Sequence, residues 1–153
     1  MTMRLVRSID NRQRSQSARG QSAVEFGMIA AAFMMLVFGV ISTAMGIYAY
    51  NTVCYATSTA IRYASLNGAS SSSPATSSSV QSLVFGMANG LNATSTCPAT
   101  TAGAICATTT WNPNNSAGST VTVKVVYEFQ PLSQLFSTSL ISISSTETMT
   151  IPD

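Results

Sequence analysis

Residues 26–50, FGMIAAAFMMLVFGVISTAMGIYAY, form a long apolar stretch that contains no charged residue. A helix of this length rises about 37 Å, whereas the hydrocarbon core of a bilayer is roughly 30 Å thick. The stretch is therefore long enough to cross a membrane with some tilt. Glu25 lies at its N-terminal edge. An ionised carboxylate in lipid costs on the order of several kcal/mol unless it meets a partner, so we expect Glu25 to have a function.

The charges of the chain are divided unevenly around this stretch. Residues 1–20 carry five arginines and one aspartate, a net charge of +4, and the remaining residues carry −2. The positive-inside rule predicts that the N-terminus stays in the cytoplasm and that everything after Tyr50 is exported. Residues 1–20 show no apolar periodicity and read as an unstructured leader. No folded element with interleaved aromatic groups presents the arginines, so a nucleic-acid partner is not expected.

Helical character is expected to continue beyond the apolar stretch. Small and apolar residues recur at spacings of three and four in residues 51–66, at Val53, Ala56, Ala60 and Ala64. Asn67-Gly68 supplies a helix stop. The pattern predicts one helix of roughly 45 residues from Gln21, about 68 Å long, with a small-residue stripe on its outer half that allows another element to pack closely.

The remaining residues predict a small head with a short helix. Residues 69–79 are rich in Ser, Thr and Ala and read as a flexible connection. A short amphipathic helix is expected around residues 80–91, with Ser78 or Ser79 as its N-cap. Its apolar face comprises Val80, Leu83, Val84, Met87 and Leu91.

From Cys97 onward the pattern indicates β-structure. Strands are predicted at residues 104–111, 119–129 and 141–151, and Asn112-Pro113-Asn114-Asn115 reads as a turn. Residues 132–140 are expected to be irregular or briefly helical. A three-stranded antiparallel sheet packed against the helix stripe would bury both apolar faces, so the fold class is α+β. Alternating apolar residues define the inward faces of the last two strands: Val121, Val123, Val125, Tyr127 and Phe129, then Ile141, Ile143, Met149 and Ile151.

Two blocks of sequence resemble a known family. They are Arg19-Gly20-Gln21-Ser22-Ala23-Val24-Glu25-Phe26 and, after the apolar stretch, Ala60-Ile61-Arg62-Tyr63-Ala64. Both are similar to TadE-like pseudopilins of the tight-adherence (Flp) type IVb pilus system, and the resemblance covers roughly residues 18–67. It implies a pilin-like architecture, in which a long N-terminal transmembrane helix packs on a small antiparallel sheet. Three regions follow: a cleaved leader (1–20), the long helix (21–67, transmembrane at 26–50) and an exported head (68–153).

The resemblance also implies a processing event and a set of partners. A prepilin peptidase would cut between Gly20 and Gln21, and the new α-amine of Gln21 could meet the Glu25 carboxylate of a neighbouring subunit. Glu25 and Phe26 are thus the expected assembly residues, and packing of the apolar helices would supply most of the cohesion. The implied location is the bacterial inner membrane, single-pass with a periplasmic head, or an extracellular pilus. The implied partners are the peptidase, other pilin subunits and the assembly machinery.

Two other interpretations of the N-terminal region remain open. One is an uncleaved single-pass envelope protein whose exported head binds a surface or a partner. The other is a conventional secretory signal with Ser42-Thr43-Ala44 as the peptidase site, although its apolar core would be long and begins beside an acidic residue. Processing discriminates among them, since a pseudopilin loses residues 1–20 and an anchor keeps them. Arg62 could contact a neighbouring subunit, but an exposed helix arginine is the more common case.

The cysteines and the other reactive residues bear on the chemistry of the head. Cys97 and Cys106 enclose eight residues that include Pro98 and Gly103, and both should lie in an oxidising compartment, so we expect them to form a disulfide. Cys54 is expected to stay reduced, and three free cysteines are the alternative. The sequence has no histidine, no metal-ligand cluster and no phosphate-binding loop, so we expect no enzyme, no cofactor, no metal and no small-molecule substrate.

Overall fold

The computed structural model describes residues 3–131 and 139–152, with side chains in the first helix from Gly20 onward. The chain forms two compact units, Met1–Ile41 and Ser42–Asp153. A long apolar helix precedes a small mixed sheet, so the predicted α+β class is confirmed. The elements are α1 (Met3–Leu66), α2 (Ser77–Met87), β1 (Thr94–Ser95), β2 (Ala104–Asn112), β3 (Thr120–Phe129) and β4 (Ile141–Thr150).

The first unit is the N-terminal part of α1. Its large apolar side chains from Val24 to Ile41 are exposed, as in Phe26 at 73%. Within the described residues, Gly20–Leu66 is the one helix long and apolar enough to cross a membrane. The expectation of an unstructured leader was wrong, because α1 already begins at Met3. Residues 3–19 contain neither proline nor glycine and are rich in Arg, Gln and Ser, so nothing in them interrupts a helix.

The second unit is built on the small-residue stripe of α1. Val53, Ala56, Ala60 and Ala64 are all at most 1% exposed, which confirms the stripe as a packing face. Small side chains let the sheet approach the helix closely, and the β-branched residues of the sheet fill the space between the two backbones. The core cluster joins this stripe to the inward face of β3, namely Val121, Val123, Val125, Tyr127 and Phe129.

The sheet has four strands in the order β1-β2-β3-β4, rather than the three predicted. β2 pairs with β3 and β3 with β4 in antiparallel fashion, as expected, whereas β1 lies parallel to β2. β1 has two residues and is held by main-chain bonds from Thr94 N to Gly103 O (2.8 Å) and from Thr96 N to Ile105 O (3.2 Å). A strand this short has no alternation in its sequence, so periodicity could not reveal it.

β4 forms at the predicted position but is only partly covered. Ile141 is 50% exposed and Met149 39%, because β4 is an edge strand. Ile151, just beyond the strand, is buried, and its amide donates to Ser119 O at 2.8 Å. The irregular or helical segment predicted at residues 132–140 falls mostly on residues 132–138, which lie outside the described part of the chain.

α2 begins and ends earlier than the sequence predicts. The N-cap is Thr76, not Ser78 or Ser79, because the Thr76 hydroxyl accepts from Ser79 N (3.2 Å) while the Ser79 hydroxyl accepts from Thr76 N (2.9 Å). This reciprocal capping box satisfies two donors that a serine two residues later would leave free. The helix ends at Met87, although Leu91 is still buried beyond it.

The helix stop at Asn67-Gly68 is confirmed, since α1 ends at Leu66. A Cβ added at Gly68 would lie 2.9 Å from Ile151 Cγ2, so this position has no room for a side chain. The serine-rich connection that follows was predicted to be flexible, but its backbone is tied to the head. Ala69 N donates to Asn115 O (2.6 Å) and Ala75 N donates to Asn67 O (2.8 Å), and Ala75 is buried.

Candidate processing and assembly site

The Gly20–Gln21 junction lies on the exposed surface of α1. A Cβ added at Gly20 would meet nothing within 4 Å, so packing in the described structure does not require glycine there. A peptidase needs an extended substrate, whereas the junction is helical. Glycine in a helix interior costs roughly 1 kcal/mol relative to alanine, so Gly20 is a weak point of α1, as is Gly27.

Glu25 follows Gln21 by one helical turn and lies on the same face of α1. Both side chains are exposed, as is the Phe26 ring beside them. Glu25 is the one acidic residue in the sequence between Gly20 and Leu66. The arrangement presents one carboxylate and one large aromatic side chain at the start of an uncharged helix. Such a carboxylate can accept charge-assisted hydrogen bonds from a donor on another chain.

Two cysteines of the head lie close together. Cys97 and Cys106 are joined in the structure, with their Cα atoms 5.0 Å apart, and Cys106 lies on β2. Cys54 is free and half-buried on α1. The bridge links the segment that follows β1 to β2, next to the two residues of β1 that pair with β2.

One residue that organises this region was not singled out in the sequence. The Gln81 side chain on α2 reaches the edge of β2 where the short strand β1 ends. Its Oε1 accepts from Ala107 N, and its Nε2 donates to Ile105 O at 3.1 Å. Nε2 also donates to Ser95 Oγ on β1 at 2.8 Å. At this point the side-chain amide of Gln81 forms hydrogen bonds with the β2 backbone that a neighbouring strand would otherwise form. Nothing in the local sequence distinguishes Gln81 from an exposed helix glutamine, so no sequence signal could have found it.

Other polar groups of the second unit are engaged in the packing of the sheet. Ser58 Oγ on α1 donates to Glu147 Oε1 on β4 at 2.5 Å, and Tyr127 Oη donates to Leu91 O at 2.8 Å. Burial raises the pKa of the Tyr127 phenol above its ordinary value of 10.0. Arg62 is exposed, in keeping with the common case of a solvated helix arginine.

The far end of the second unit contains an open groove of about 390 Å³. Its lining is uncharged and comes from the end of α1, the loop after it, and the chain terminus: Ser65, Leu66, Gly68, Ala69, Ser70, Ser71, Ala117, Ile151 and Pro152. Among the residues that the structure describes, no three His, Cys, Asp or Glu side chains lie close enough to hold a metal ion.

Comparison with known proteins bears on α1 alone. The model of the family described as TadE-like protein matches residues 20–62, a segment that contains Gly20, Glu25 and Arg62. No curated protein and no solved structure matches the chain significantly. TadE-like proteins form a structural, pilus-associated family, and the apolar helix is compatible with a single-pass membrane protein. The TadE-like match is thus confined to residues 20–62, 43 of the 153 residues of the chain, and it shows similarity to that family for this segment of α1 only.

Proposed function

We propose that this chain is a minor pilin or pseudopilin that acts in assembly of an adhesive type IVb (Tad/Flp) pilus, after a prepilin peptidase has cut between Gly20 and Gln21. One observation carries the proposal. The TadE-like match begins at Gly20, directly after a basic segment, and it includes Glu25 at the edge of the uncharged stretch. The chain acts as a scaffold and not as an enzyme, with its N-terminus in the cytoplasm and its head in the periplasm.

Cleavage changes the electrostatics of Glu25 in two ways. It creates an α-amine on Gln21, and it turns an interior position of α1 into the second turn of a new helix N-terminus. A carboxylate in the first turn of a helix gains roughly 0.3–1 kcal/mol from the unsatisfied amides there, and because the effect falls off beyond that turn, Glu25 gains less. The amine of one subunit and the carboxylate of the next can then neutralise each other in the lipid, which offsets the desolvation of both and fixes their axial stagger.

The exposed apolar side chains of the first unit support the same role. Residues 26–41 offer an uncharged helical surface with aromatic, Met and β-branched side chains exposed. In a bilayer this surface faces lipid, and in a filament it would face the helices of other subunits. Packing between such helices relies on shape and van der Waals contact, because lipid is as apolar as the side chains themselves.

The mature N-terminus is the direct test of processing. Intact-mass measurement of protein from the envelope of the producing bacterium should show loss of the first twenty residues, leaving Gln21 as the first residue. A Gly20→Leu variant should accumulate unprocessed protein. Gly27→Leu is the matched control, since a Cβ at either glycine meets nothing within 4 Å. A mature start at Met1 or Met45 would contradict the proposal.

Glu25 is expected to serve assembly and not the fold of the head. Glu25→Gln keeps the shape and removes the charge, so processing and the Cys97–Cys106 bridge should be unchanged while incorporation into filaments or assembly complexes falls. Glu128→Gln, which removes one carboxylate from β3 and lies outside the apolar helix surface, is the control for loss of a charge elsewhere in the chain. Wild-type incorporation of the Glu25→Gln subunit would refute the pairing of amine and carboxylate.

The alternative function is a permanently anchored envelope protein whose head binds a surface or partner. The open, uncharged groove at the far end of the second unit is the observation that favours it. The same mass measurement separates the two functions, because the anchor would retain residues 1–20.

A further inference from the structure

Three exposed aromatic side chains lie at one end of the second unit. Tyr48 and Tyr50 belong to α1, and Phe85 belongs to α2; their exposed fractions are 53%, 55% and 43%. We call these three residues the aromatic rim. Two of them continue the apolar stretch of α1, whereas Phe85 comes from a separate element of the head.

A set of close contacts brings α2 to the level of Tyr48. Tyr48 Oη donates to Asn89 O at 3.2 Å, and Asn89 Nδ2 donates to Gly86 O at 2.9 Å. Gly90 has φ of +81°, and a Cβ there would lie 3.1 Å from Tyr48 Oη, so a side chain at this position would be both strained and crowded. Phe85 is next to Gly86 in α2, so its backbone lies within about one helical turn of this contact.

The position of Tyr48 along α1 corresponds to the surface of a bilayer. Twenty helical residues span roughly 30 Å, the thickness of the hydrocarbon core. Counted from Phe26, the first residue after Glu25, the core then ends near Met45. Tyr48 lies three residues further, about 4.5 Å along the axis, which is within the headgroup layer.

The chemistry of this end of the unit suits a lipid interface. The sequence contains no charged residue in 26–61 or in 63–123, the ranges that supply α2 and the neighbouring part of α1. β3 also reaches this end, since Phe129 would lie 3.7 Å from a Cβ at Gly46, and the residue before it, Glu128, is half-buried. Tyrosine is enriched where membranes meet water, since its ring is apolar and its hydroxyl remains hydrated or hydrogen-bonded. An aromatic side chain such as Phe85, 43% exposed beside such a belt, buries apolar surface if it enters the interface.

We propose that the aromatic rim docks on the headgroup layer of the membrane that α1 spans, with Phe85 as the contact from the head itself. The occupant of this surface is the lipid bilayer and not a protein, because α1 carries the rim directly to the bilayer surface. Docking requires the apolar helix to cross the membrane, and it is independent of cleavage at Gly20. The head is thereby oriented on the bilayer before any assembly takes place.

Tryptophan placed at the rim tests the contact. The background is the full chain carrying Trp111→Phe, which removes the one native tryptophan; its indole N–H is buried without a partner, so phenylalanine loses no hydrogen bond there. Phe85→Trp is the probe. Leu66→Trp is the matched control, since Leu66 is 71% exposed and lies 18 residues beyond Tyr48, about 27 Å along α1.

Each variant is placed, one copy per disc, in phosphatidylcholine nanodiscs with and without bromine on the acyl chains near the glycerol backbone. Phe85→Trp should lose most of its fluorescence in brominated discs and Leu66→Trp should keep it. Equal quenching of the two variants would overturn the proposal. Gly86→Trp provides a second probe on α2, because a Cβ there meets nothing within 4 Å and the fold should tolerate it. Absence of quenching at both Phe85→Trp and Gly86→Trp would mean that the rim faces water or a protein partner.

Discussion

Replacement of Gln81 by methionine should destabilise the head by about 1–2 kcal/mol, since each buried polar group that loses its partner costs on the order of 1 kcal/mol or more. Methionine keeps the length of the side chain and its packing but cannot make the hydrogen bonds. Ala107 N on β2 then loses its partner, as does Ser95 Oγ on β1, whereas Ile105 O keeps the bond from Thr96 N. The cost stays well below that of fully buried groups because Gln81 is only partly buried and water can reach the strand edge.

The assay is urea unfolding of the full chain in detergent micelles, followed by the fluorescence of Trp111. This residue lies on β2, paired with Val121 of β3, and therefore reports on the strand that Gln81 holds. Gln130→Met is the matched control, because the Gln130 side chain is exposed. Ordinary surface substitutions change the free energy of unfolding by up to about 0.5 kcal/mol. If Gln81→Met changes it by no more than this, the hydrogen bonds of the Gln81 amide to β2 do not stabilise the head.

Two further predictions concern the head. Cys97 and Cys106 should be disulfide-bonded in protein taken from the envelope, and the bridge should stabilise the head by roughly 2–3 kcal/mol; non-reducing peptide mapping checks the pairing, and a free Cys97 or a bridge to Cys54 would contradict it. Because burial raises the pKa of Tyr127 above 10.0, its contribution to stability is fully present below about pH 10 and is lost as pH rises toward the folded-state pKa. Tyr127→Phe should remove this alkaline loss in unfolding measured against pH, and an unchanged profile would exclude Tyr127 as its source.

Residues 20 to 26 illustrate how much of the candidate site the sequence could predict. Gly20, Gln21, Glu25 and Phe26 were selected from their order along the chain and their place at the edge of an uncharged run. All four are exposed on a single helix, so their proposed roles depend on partners and not on contacts within the fold. Tertiary structure adds little at such a site, because the residues that complete it belong to other molecules.

Local patterns in the sequence were enough to predict the long helix, its small-residue packing stripe and the buried face of β3. Each follows from a local period: apolar positions every three to four residues define a helix face, and alternation defines a strand face. Val53, Ala56 and Ala60 on α1 and Val121, Val123 and Val125 on β3 needed no knowledge of the rest of the chain. Their burial follows from the requirement that two apolar faces cover each other.

The parallel strand β1, the hydrogen bonds of Gln81 and the contact of Tyr48 with the segment after α2 depend on the tertiary structure. Gln81 meets Ala107 across 26 residues, and Tyr48 meets Asn89 across 41. Hydrogen bonds of this kind leave no period in the sequence, since either partner would also be satisfied by water. They form only after the hydrophobic faces have fixed the distances between elements, and for that reason the backbone positions had to be known first.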